Sequence, residues 1–312
     1  MARRSLVLGI DGGSTGSVGI LADDSGAVLA RHEGAAMSIP SLGFENVARA
    51  FYVLAARCCD DARCKPSELS AVVLGNGAAD RQTDRSRLCE SVNVLFAKGG
   101  AKPLPLVIEP SARTALEGAF DGGEGVVIVA DSGSVVVGKT RAGEVVSVGG
   151  WGRVIGDEGS GYFIGREALL AVVHEYEHRG TAGRLREVLG RRYHFDTREG
   201  IIAAINQENF DIAALAPSVM ETASTNDLVA QRILNHAASL LADQARIIVM
   251  QMGLLRKVRL CMMGSLVDGN TIYGNALHMK LLKVLPQVEV RRPLHEPAYG
   301  AMLLAAARLR KT

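Results

Sequence analysis

Near the middle of the chain the sequence reads GGWGRVIGDEGSG over residues 149–161, a glycine-rich turn that ends in a pair of acids. Two more glycine-rich turns follow apolar runs: residues 8–21 read LGIDGGSTGSVGIL, and residues 131–134 read DSGS. Glycine lets a backbone approach a ligand closely and adopt a positive φ angle. Three such turns at strand ends predict a phosphate-bearing ligand that is held from two sides.

The predicted elements repeat along the chain. Three short apolar strands joined by turns open the sequence, and the same strand, glycine turn, strand pattern returns after residue 124. The predicted strands cover residues 6–10, 17–21, 27–31, 70–74, 104–108, 125–130, 134–140, 145–148 and 258–262. Apolar residues at helical spacing predict helices over 44–59, 112–120 and 227–253, and a mostly helical region from Glu167 onward. The repetition indicates a duplicated α/β fold with its ligand between the two copies.

The composition is that of a globular chain with two domains. The 312 residues are 48% hydrophobic and 22% charged, and the net charge is +2. Such a balance carries no electrostatic footprint for nucleic acid or a membrane surface. The apolar run before Asp11 is too short for a secretory signal, and the most apolar later stretch, at 247–250, has polar flanks. We expect a cytoplasmic protein with no nucleic-acid or membrane partner.

The cysteines favour reduced thiols over disulfides or a metal site. Their number is odd, which is typical of an intracellular chain. They are Cys58, Cys59, Cys64, Cys89 and Cys261. The first three lie close together in sequence but contain no C-x-x-C pair and have no histidine nearby, so we expect these three on or beside a helix rather than at a metal site.

Taken in order, the motifs resemble those of the BadF/BcrA-type ATPases and N-acetylglucosamine kinases of the actin-like superfamily. The resemblance covers roughly residues 5 to 307. It implies two ribonuclease-H-like α/β domains, each on a mixed five-stranded sheet, with a central cleft for nucleotide and substrate. The first domain would cover 1–114, with a last helix at 298–309 packed back on it, and the second, with helical additions, 115–297. The resemblance also implies a homodimer.

Residues of three turns are candidates for binding ATP and Mg²⁺. Backbone N–H groups and hydroxyls of glycine-rich turns are suited to phosphate oxygens. Asp11 is the candidate metal residue, because Mg²⁺ keeps most of its waters and takes few protein carboxylates. The resemblance places Gly264 and Ser265 under the adenine or ribose, where a plain loop is the alternative. The candidate nucleotide residues are Gly12, Gly13, Ser14, Thr15, Ser132, Gly133, Gly264 and Ser265.

The acceptor is expected at the GGWG and GDEGS motifs. In the kinases that this chain resembles, these motifs contact sugar hydroxyls, and a carboxylate suits that task because it accepts several hydrogen bonds. A second interpretation, compatible with the first, makes Asp157 and Glu158 an acidic pair at a helix start, with Glu158 in the capping position. Ser38 stands where N-acetylglucosamine kinases carry an asparagine that reads the sugar. The candidate substrate residues are Ser38, Ser134, Gly150, Trp151, Gly152 and Asp157.

One departure from the family concerns the catalytic base. The family's aspartate precedes a small-residue helix, and the matching position here is Ser111, in the stretch IEPSARTAL. A base typically contributes about 10²–10⁴-fold to the rate, so its loss predicts a slow enzyme or none. Glu109 and Asp131 are the possible substitutes, and Glu109 is preferred because Asp131 would bring like charge toward the phosphates.

Three functions follow from these residues. The first is ATP-dependent phosphorylation of an amino sugar such as N-acetylglucosamine or glucosamine. The second is a BadF-type ATPase whose nucleotide state is read by another protein, although the cysteines lack the spacing for the iron–sulfur cluster of such activators. The third is a degenerate kinase that binds sugar or nucleotide as a regulator, and Ser111 keeps this alternative open.

Overall fold

A computed structural model describes residues 5–77, 81–98, 102–206, 210–253 and 257–310. The chain divides into two compact units, Met1–Glu124 with Pro293–Thr312, and Gly125–Arg292. The strands are β1 (Leu6–Gly12), β2 (Ser17–Asp23), β3 (Val28–Gly34), β4 (Leu69–Asn76), β5 (Leu106–Glu109), β6 (Gly125–Ala130), β7 (Ser134–Lys139), β8 (Val145–Gly149), β9 (Val258–Met263) and β10 (Val288–Arg291). The helices are α1 (Ile39–Asp61), α2 (Gln82–Lys98), α3 (Ser111–Ala119), α4 (Gly161–Tyr176), α5 (Leu185–Tyr193), α6 (Arg198–Asn206), α7 (Ala216–Ser224), α8 (Leu228–Gln251), α9 (Ile272–Val284) and α10 (Pro297–Leu309).

Each unit is built on a five-stranded mixed sheet, and the two sheets have the same topology. The first has the order β3-β2-β1-β4-β5 and the second the order β10-β9-β6-β7-β8. In each, three antiparallel strands are followed by two parallel ones. The expected pair of α/β domains, each on a mixed five-stranded sheet, is therefore confirmed, and the repeated pattern in the sequence corresponds to one topology used twice.

The first unit buries both faces of its sheet. Helices α1 and α2 cover one face around Leu8, Ile10 and Phe51, and α10 covers the other through its alanines. Glycines make this second contact close. A Cβ atom on Gly9 of β1 would lie 2.1 Å from the backbone nitrogen of Met302. A Cβ on Gly300 would lie 1.9 Å from a carbonyl oxygen of α3.

The second unit has the larger helical addition. Its core joins Val126, Ile128 and Val136 of the sheet to the apolar faces of α4 to α9. Within the described residues, no helix combines the length and the apolar character that a membrane crossing requires.

Some elements differ from the sequence-based expectation, since helix α2 and strand β10 are not among the predicted elements. Helix α1 begins at Ile39, five residues before the predicted start, and Gly43 interrupts it with a φ of 73°. Cys58 and Cys59 lie on α1, as expected, and Cys261 lies in β9, the strand predicted over 258–262. Burial raises the pKa of the Cys58 and Cys261 thiols to about 11.

Candidate active site

The first glycine turn is a tight connection between β1 and β2. The backbone N–H of Gly13 donates to the carbonyl of Gly16 at 3.0 Å, and a Cβ on Gly13 would lie 2.9 Å from that oxygen. Ser14 and Thr15 form the exposed tip, while Asp11 is partly exposed one residue before the strand ends. The turn therefore presents two hydroxyls and nearby backbone at the end of a central strand.

Asp11 and Glu109 flank a glycine in neighbouring parallel strands. Asp11 of β1 is in register with Gly75 of β4, and Gly75 is in register with Glu109 of β5. Residues paired in this way project from the same face of a sheet. A Cβ on Gly75 would lie 2.6 Å from the hydroxyl of Thr114 in α3, so this is the face that α3 covers. The Glu109 carboxylate lies 4.0 Å from the Arg308 guanidinium.

Ser111 is the first residue of α3 and brings a hydroxyl to the same end of the sheet. Its Oγ lies 3.6 Å from the position of a Cβ on Gly77, just beyond β4, and its carbonyl accepts a hydrogen bond from Thr114 at 2.8 Å. A serine hydroxyl has no charge and no basicity suited to taking a proton at neutral pH.

Ser38 belongs to a segment that is tied to the first turn. Its neighbour Met37 is buried and donates its backbone N–H to the carbonyl of Gly13 at 2.9 Å. The carbonyl of Met37 accepts from the buried Asn76 amide at 2.7 Å. The Ser38 hydroxyl lies 3.1 Å from that of Ser41. Ser38 is thus held near the ends of β1 and β4.

The second glycine turn is joined to the start of α4. The backbone N–H groups of Gly161 and Tyr162 donate to the carbonyls of Asp131 and Ser132, at 2.7 and 3.2 Å. Ser132 is exposed and Gly133 half-buried. The turn therefore rests on the glycine-rich segment that precedes α4.

The Gly264–Ser265 turn contacts the second glycine turn. Strands β6 and β9 are parallel neighbours, so the residues that follow them lie at one edge of the sheet. Asp131 Oδ1 accepts hydrogen bonds from the backbone N–H of Ser265 at 2.6 Å and from its hydroxyl at 2.7 Å. Two of the three turns that the sequence predicts for the nucleotide, at Ser132–Gly133 and at Gly264–Ser265, are thus adjacent.

Asp157 lies against the second glycine turn. Its carboxylate is 3.2–3.4 Å from the position of a Cβ on Gly133, and it accepts the Ser134 N–H at 3.4 Å. The backbone of Asp157 has a positive φ of 53°. Burial raises the pKa of this carboxyl, and the Ser134 N–H partly offsets the effect. A half-buried carboxylate with spare acceptor positions is suited to hydroxyl groups.

The Gly-Trp-Gly loop projects apolar side chains into solvent. Trp151 is 75% exposed, and Val154 and Ile155 further along the loop are 88% and 78% exposed. The loop is anchored by the Gly150 N–H, which donates to the Ser134 carbonyl, and by the Gly156 N–H, which donates to Gly152. The structure therefore places Gly150, Trp151 and Gly152 beside the segment that carries Ser134.

Three residues that the sequence analysis does not single out, Gln244, Tyr273 and Ser160, support this loop and the start of α4. Gln244 of α8 is buried and donates to the Glu158 carboxylate at 3.0 Å, and the Tyr273 hydroxyl of α9 donates to the Gly159 carbonyl at 2.6 Å. The expected capping role of Glu158 is wrong. Ser160 caps α4, because its side chain accepts the Phe163 N–H at 3.1 Å. No local sequence pattern links Gln244 or Tyr273 to this loop.

Within the described parts of the chain, no group of three His, Cys, Asp or Glu side chains is arranged to hold a metal ion. Mg²⁺ keeps most of its waters and takes only one or two protein carboxylates, so it would need no such group. The partly exposed Asp11, at the end of β1, has a carboxylate whose chemistry would fit this ion.

Comparisons with known proteins agree on one family. The profile of the BadF/BadG/BcrA/BcrD ATPase family matches residues 8–305. The N-acetyl-D-glucosamine kinase of Dictyostelium discoideum is 28% identical over 317 aligned positions, covering 97% of this chain and 98% of the relative. The N-acetylmuramic acid/N-acetylglucosamine kinase of Clostridium acetobutylicum is 28% identical and covers 76% of this chain and 78% of the relative.

Solved structures share the fold. A Chromobacterium violaceum protein described as a candidate N-acetylglucosamine kinase has a TM-score of 0.74 at 23% identity, over 97% of this chain and 99% of the other. A ROK family glucokinase from Streptomyces griseus, solved with glucose and AMPPNP, has a TM-score of 0.58 at 16% identity, over 99% and 100%.

Proposed function

Because the chain belongs to the BadF/BadG/BcrA/BcrD ATPase family, we propose that it is an ATP-dependent kinase of an amino sugar such as N-acetylglucosamine or glucosamine. The observation that carries this proposal is the anchoring of Asp157 against the second glycine turn, with its Oδ1 accepting the Ser134 N–H. A carboxylate for sugar hydroxyls is thereby held next to a turn suited to phosphate. The kinases of N-acetylated amino sugars among its relatives support the choice of acceptor.

We assign ATP to the three glycine turns. The first contains Gly12, Gly13, Ser14 and Thr15, and the Ser14 and Thr15 hydroxyls at its exposed tip suit phosphate oxygens. The second presents Ser132 and Gly133 at the end of β6, and the third presents Gly264 and Ser265 beside it. Carboxyl ends of parallel strands are the usual place for such ligands in α/β proteins.

Asp11 is the residue that we assign to Mg²⁺. It stands at the carboxyl end of β1, directly before the first turn, and is partly exposed. A bound Mg²⁺ would neutralise charge on the transferred phosphoryl group. Asp11 would hold the ion through its waters, which is the mode of binding that Mg²⁺ favours.

We assign the acceptor sugar to Asp157 and the Gly-Trp-Gly loop. Asp157 would accept hydrogen bonds from sugar hydroxyls, and the backbone of Gly150 and Gly152 would offer further polar groups. Ser134 contributes by holding Asp157, while its own hydroxyl donates to the Glu158 carbonyl at 2.8 Å. Ser38 replaces an amide with a hydroxyl, which leaves the identity of the sugar to experiment.

The acceptor hydroxyl must lose its proton during phosphoryl transfer. Ser111 has no basicity for it, so Glu109 is the residue that we assign as the base. Phosphoryl transfer depends largely on positioning and charge stabilisation, so a poorly placed base predicts slow turnover rather than none. The ion pair of Glu109 with Arg308 at 4.0 Å would have to yield for Glu109 to act.

A coupled assay of ADP release, with and without a panel of hexosamines, tests the proposal. We expect turnover that depends on one or a few amino sugars and yields a sugar phosphate, which mass spectrometry would detect. The serine at position 111 favours a second candidate, in which the protein hydrolyses ATP for a partner or only binds its ligands. ATP hydrolysis at a rate that does not depend on sugar, or binding of ATP or sugar without turnover, would support this second function and contradict the proposed kinase.

A further inference from the structure

The Asp131 carboxylate accepts hydrogen bonds from two donors at the edge of the second sheet. The backbone N–H and the hydroxyl of Ser265 both point at its Oδ1, at 2.6 and 2.7 Å. Ser265 is itself exposed. Convergent backbone and hydroxyl donors at the end of a parallel strand are the arrangement by which proteins hold phosphate groups. Here the oxygen that receives them belongs to the protein.

The backbone around this contact is closely packed. Gly264 has a φ of 110°, which disfavours any residue with a side chain. A Cβ at that position would lie 2.4 Å from the Ala130 carbonyl oxygen and 2.9 Å from Asp131 Oδ2. The turn after β9 is thus pressed against the turn after β6, and the Asp131 carboxylate lies where the two meet.

We infer that Asp131 is an internal competitor for phosphate, a role that rests on the proposed binding of nucleotide at these turns and assigns to the Ser265 donors a phosphate oxygen rather than the adenine or ribose implied by the family resemblance. Its carboxylate takes the position on Ser265 that a phosphate oxygen would take. A polyphosphate gains the Ser265 donors only by displacing this carboxylate. Asp131 therefore sets the affinity for the polyphosphate part of a nucleoside triphosphate, and holds it below what the two turns would otherwise provide.

Calorimetric titration with Mg-ATP and with inorganic tripolyphosphate tests the inference. Asp131→Ala frees both Ser265 donors, and we expect it to tighten binding of each probe about tenfold or more. Asp131→Asn removes the charge but keeps an acceptor oxygen near Ser265, so its gain is expected to be smaller. Ser265→Ala in the Asp131→Ala background deletes one freed donor and is expected to reduce the gain.

Asp268→Ala is the matched control, since Asp268 is an exposed acid three residues after Ser265 whose Oδ1 accepts only the Gly269 N–H among the hydrogen bonds resolved for it. We expect it to leave both affinities unchanged. An equal gain in Asp268→Ala would reduce the effect to general charge and overturn the inference. Unchanged, weakened or absent polyphosphate binding in Asp131→Ala would overturn it as well, because the carboxylate would then support the turns.

Two further readouts keep the outcomes separate. If Asp131→Ala does not fold, as judged by circular dichroism and thermal melting, the comparison of Asp131→Asn with Asp268→Ala decides, and a gain confined to the former supports competition. If polyphosphate affinity rises in Asp131→Ala while no hexosamine is phosphorylated by the unaltered chain, the inference stands and the proposed kinase fails.

Discussion

Replacement of Asp157 by asparagine is expected to abolish most of the affinity for the acceptor sugar without disturbing the fold. The backbone at Asp157 has a φ of 53°, a left-handed conformation that asparagine tolerates better than most residues. Alanine at this position would add backbone strain of about 1–3 kcal/mol. Asparagine also keeps an oxygen that can accept the Ser134 N–H.

The magnitude follows from the acceptor capacity of the carboxylate. A carboxylate has about four acceptor positions and the Ser134 N–H, at 3.4 Å, takes only one of them, so both oxygens of Asp157 remain able to accept from hydroxyls. Two bonds to a charged acceptor contribute about 3–6 kcal/mol, and one neutral bond of about 0.5–1.5 kcal/mol would replace them. The net loss of roughly 2–5 kcal/mol corresponds to a Kd raised by about 30-fold to several thousand-fold.

Calorimetry with N-acetylglucosamine and glucosamine, with and without Mg-ATP, measures this loss. Glu158→Gln is the matched control, because it makes the same change of acid to amide at the next residue, whose carboxylate accepts from Gln244 at 3.0 Å. We expect the control to keep most of the sugar affinity and both variants to keep the ATP affinity. An unchanged sugar affinity in Asp157→Asn would refute the reasoning and leave Asp157 with a purely structural role.

The pH dependence provides a second signature of the same residue. Burial raises the pKa of Asp157, so the charged acceptor is lost at a higher pH than for an exposed aspartate. Sugar affinity should fall as the pH drops through this raised pKa, and the fall should be absent in Asp157→Asn. The folded state also binds this proton more tightly than the unfolded chain, so its contribution to stability decreases as the pH rises from the ordinary to the raised pKa. Urea denaturation of both proteins across acidic pH would measure the difference.

Three more predictions concern the first unit. Asp11→Asn and Thr15→Ala should weaken Mg-ATP binding while the fold stays intact by circular dichroism, and unchanged affinities by calorimetry would remove the first turn from the nucleotide site. Ser111→Asp should raise sugar phosphorylation by about 10²–10⁴-fold if the chain lacks only its base, whereas Glu109→Gln should silence the wild-type enzyme if Glu109 already acts. Gly300→Ala should destabilise the protein by about 1–3 kcal/mol, since its new methyl carbon would lie 1.9 Å from a carbonyl oxygen of α3. An unaltered denaturation midpoint would show that α10 can shift.

Strands β1 to β9, helices α1 and α8 and the duplicated pattern could be predicted from the sequence because their signals are local, whereas α2 and β10 were not predicted. Apolar runs of five to seven residues predicted the β1–β2 and β6–β7 hairpins, and glycine turns marked the ends where ligands are expected. The start of α1 was missed because Pro40 and Gly43 obscure its first turns. The capping residue of α4 was missed because Ser160 and Glu158 both lie in a stretch that suits a helix start.

The contacts that shape the candidate site depend on tertiary structure. Asp131 and Ser265 are 134 positions apart and meet only because β6 and β9 are parallel neighbours. Gln244 and Glu158 are 86 positions apart, and α8 brings them together. Composition and periodicity report which face of an element is apolar, but sheet order decides which strand ends are adjacent. The sequence alone therefore determined most of the elements and the turns. The strand order of the second sheet and the packing of α8 determined which side chains of the candidate site lie in contact.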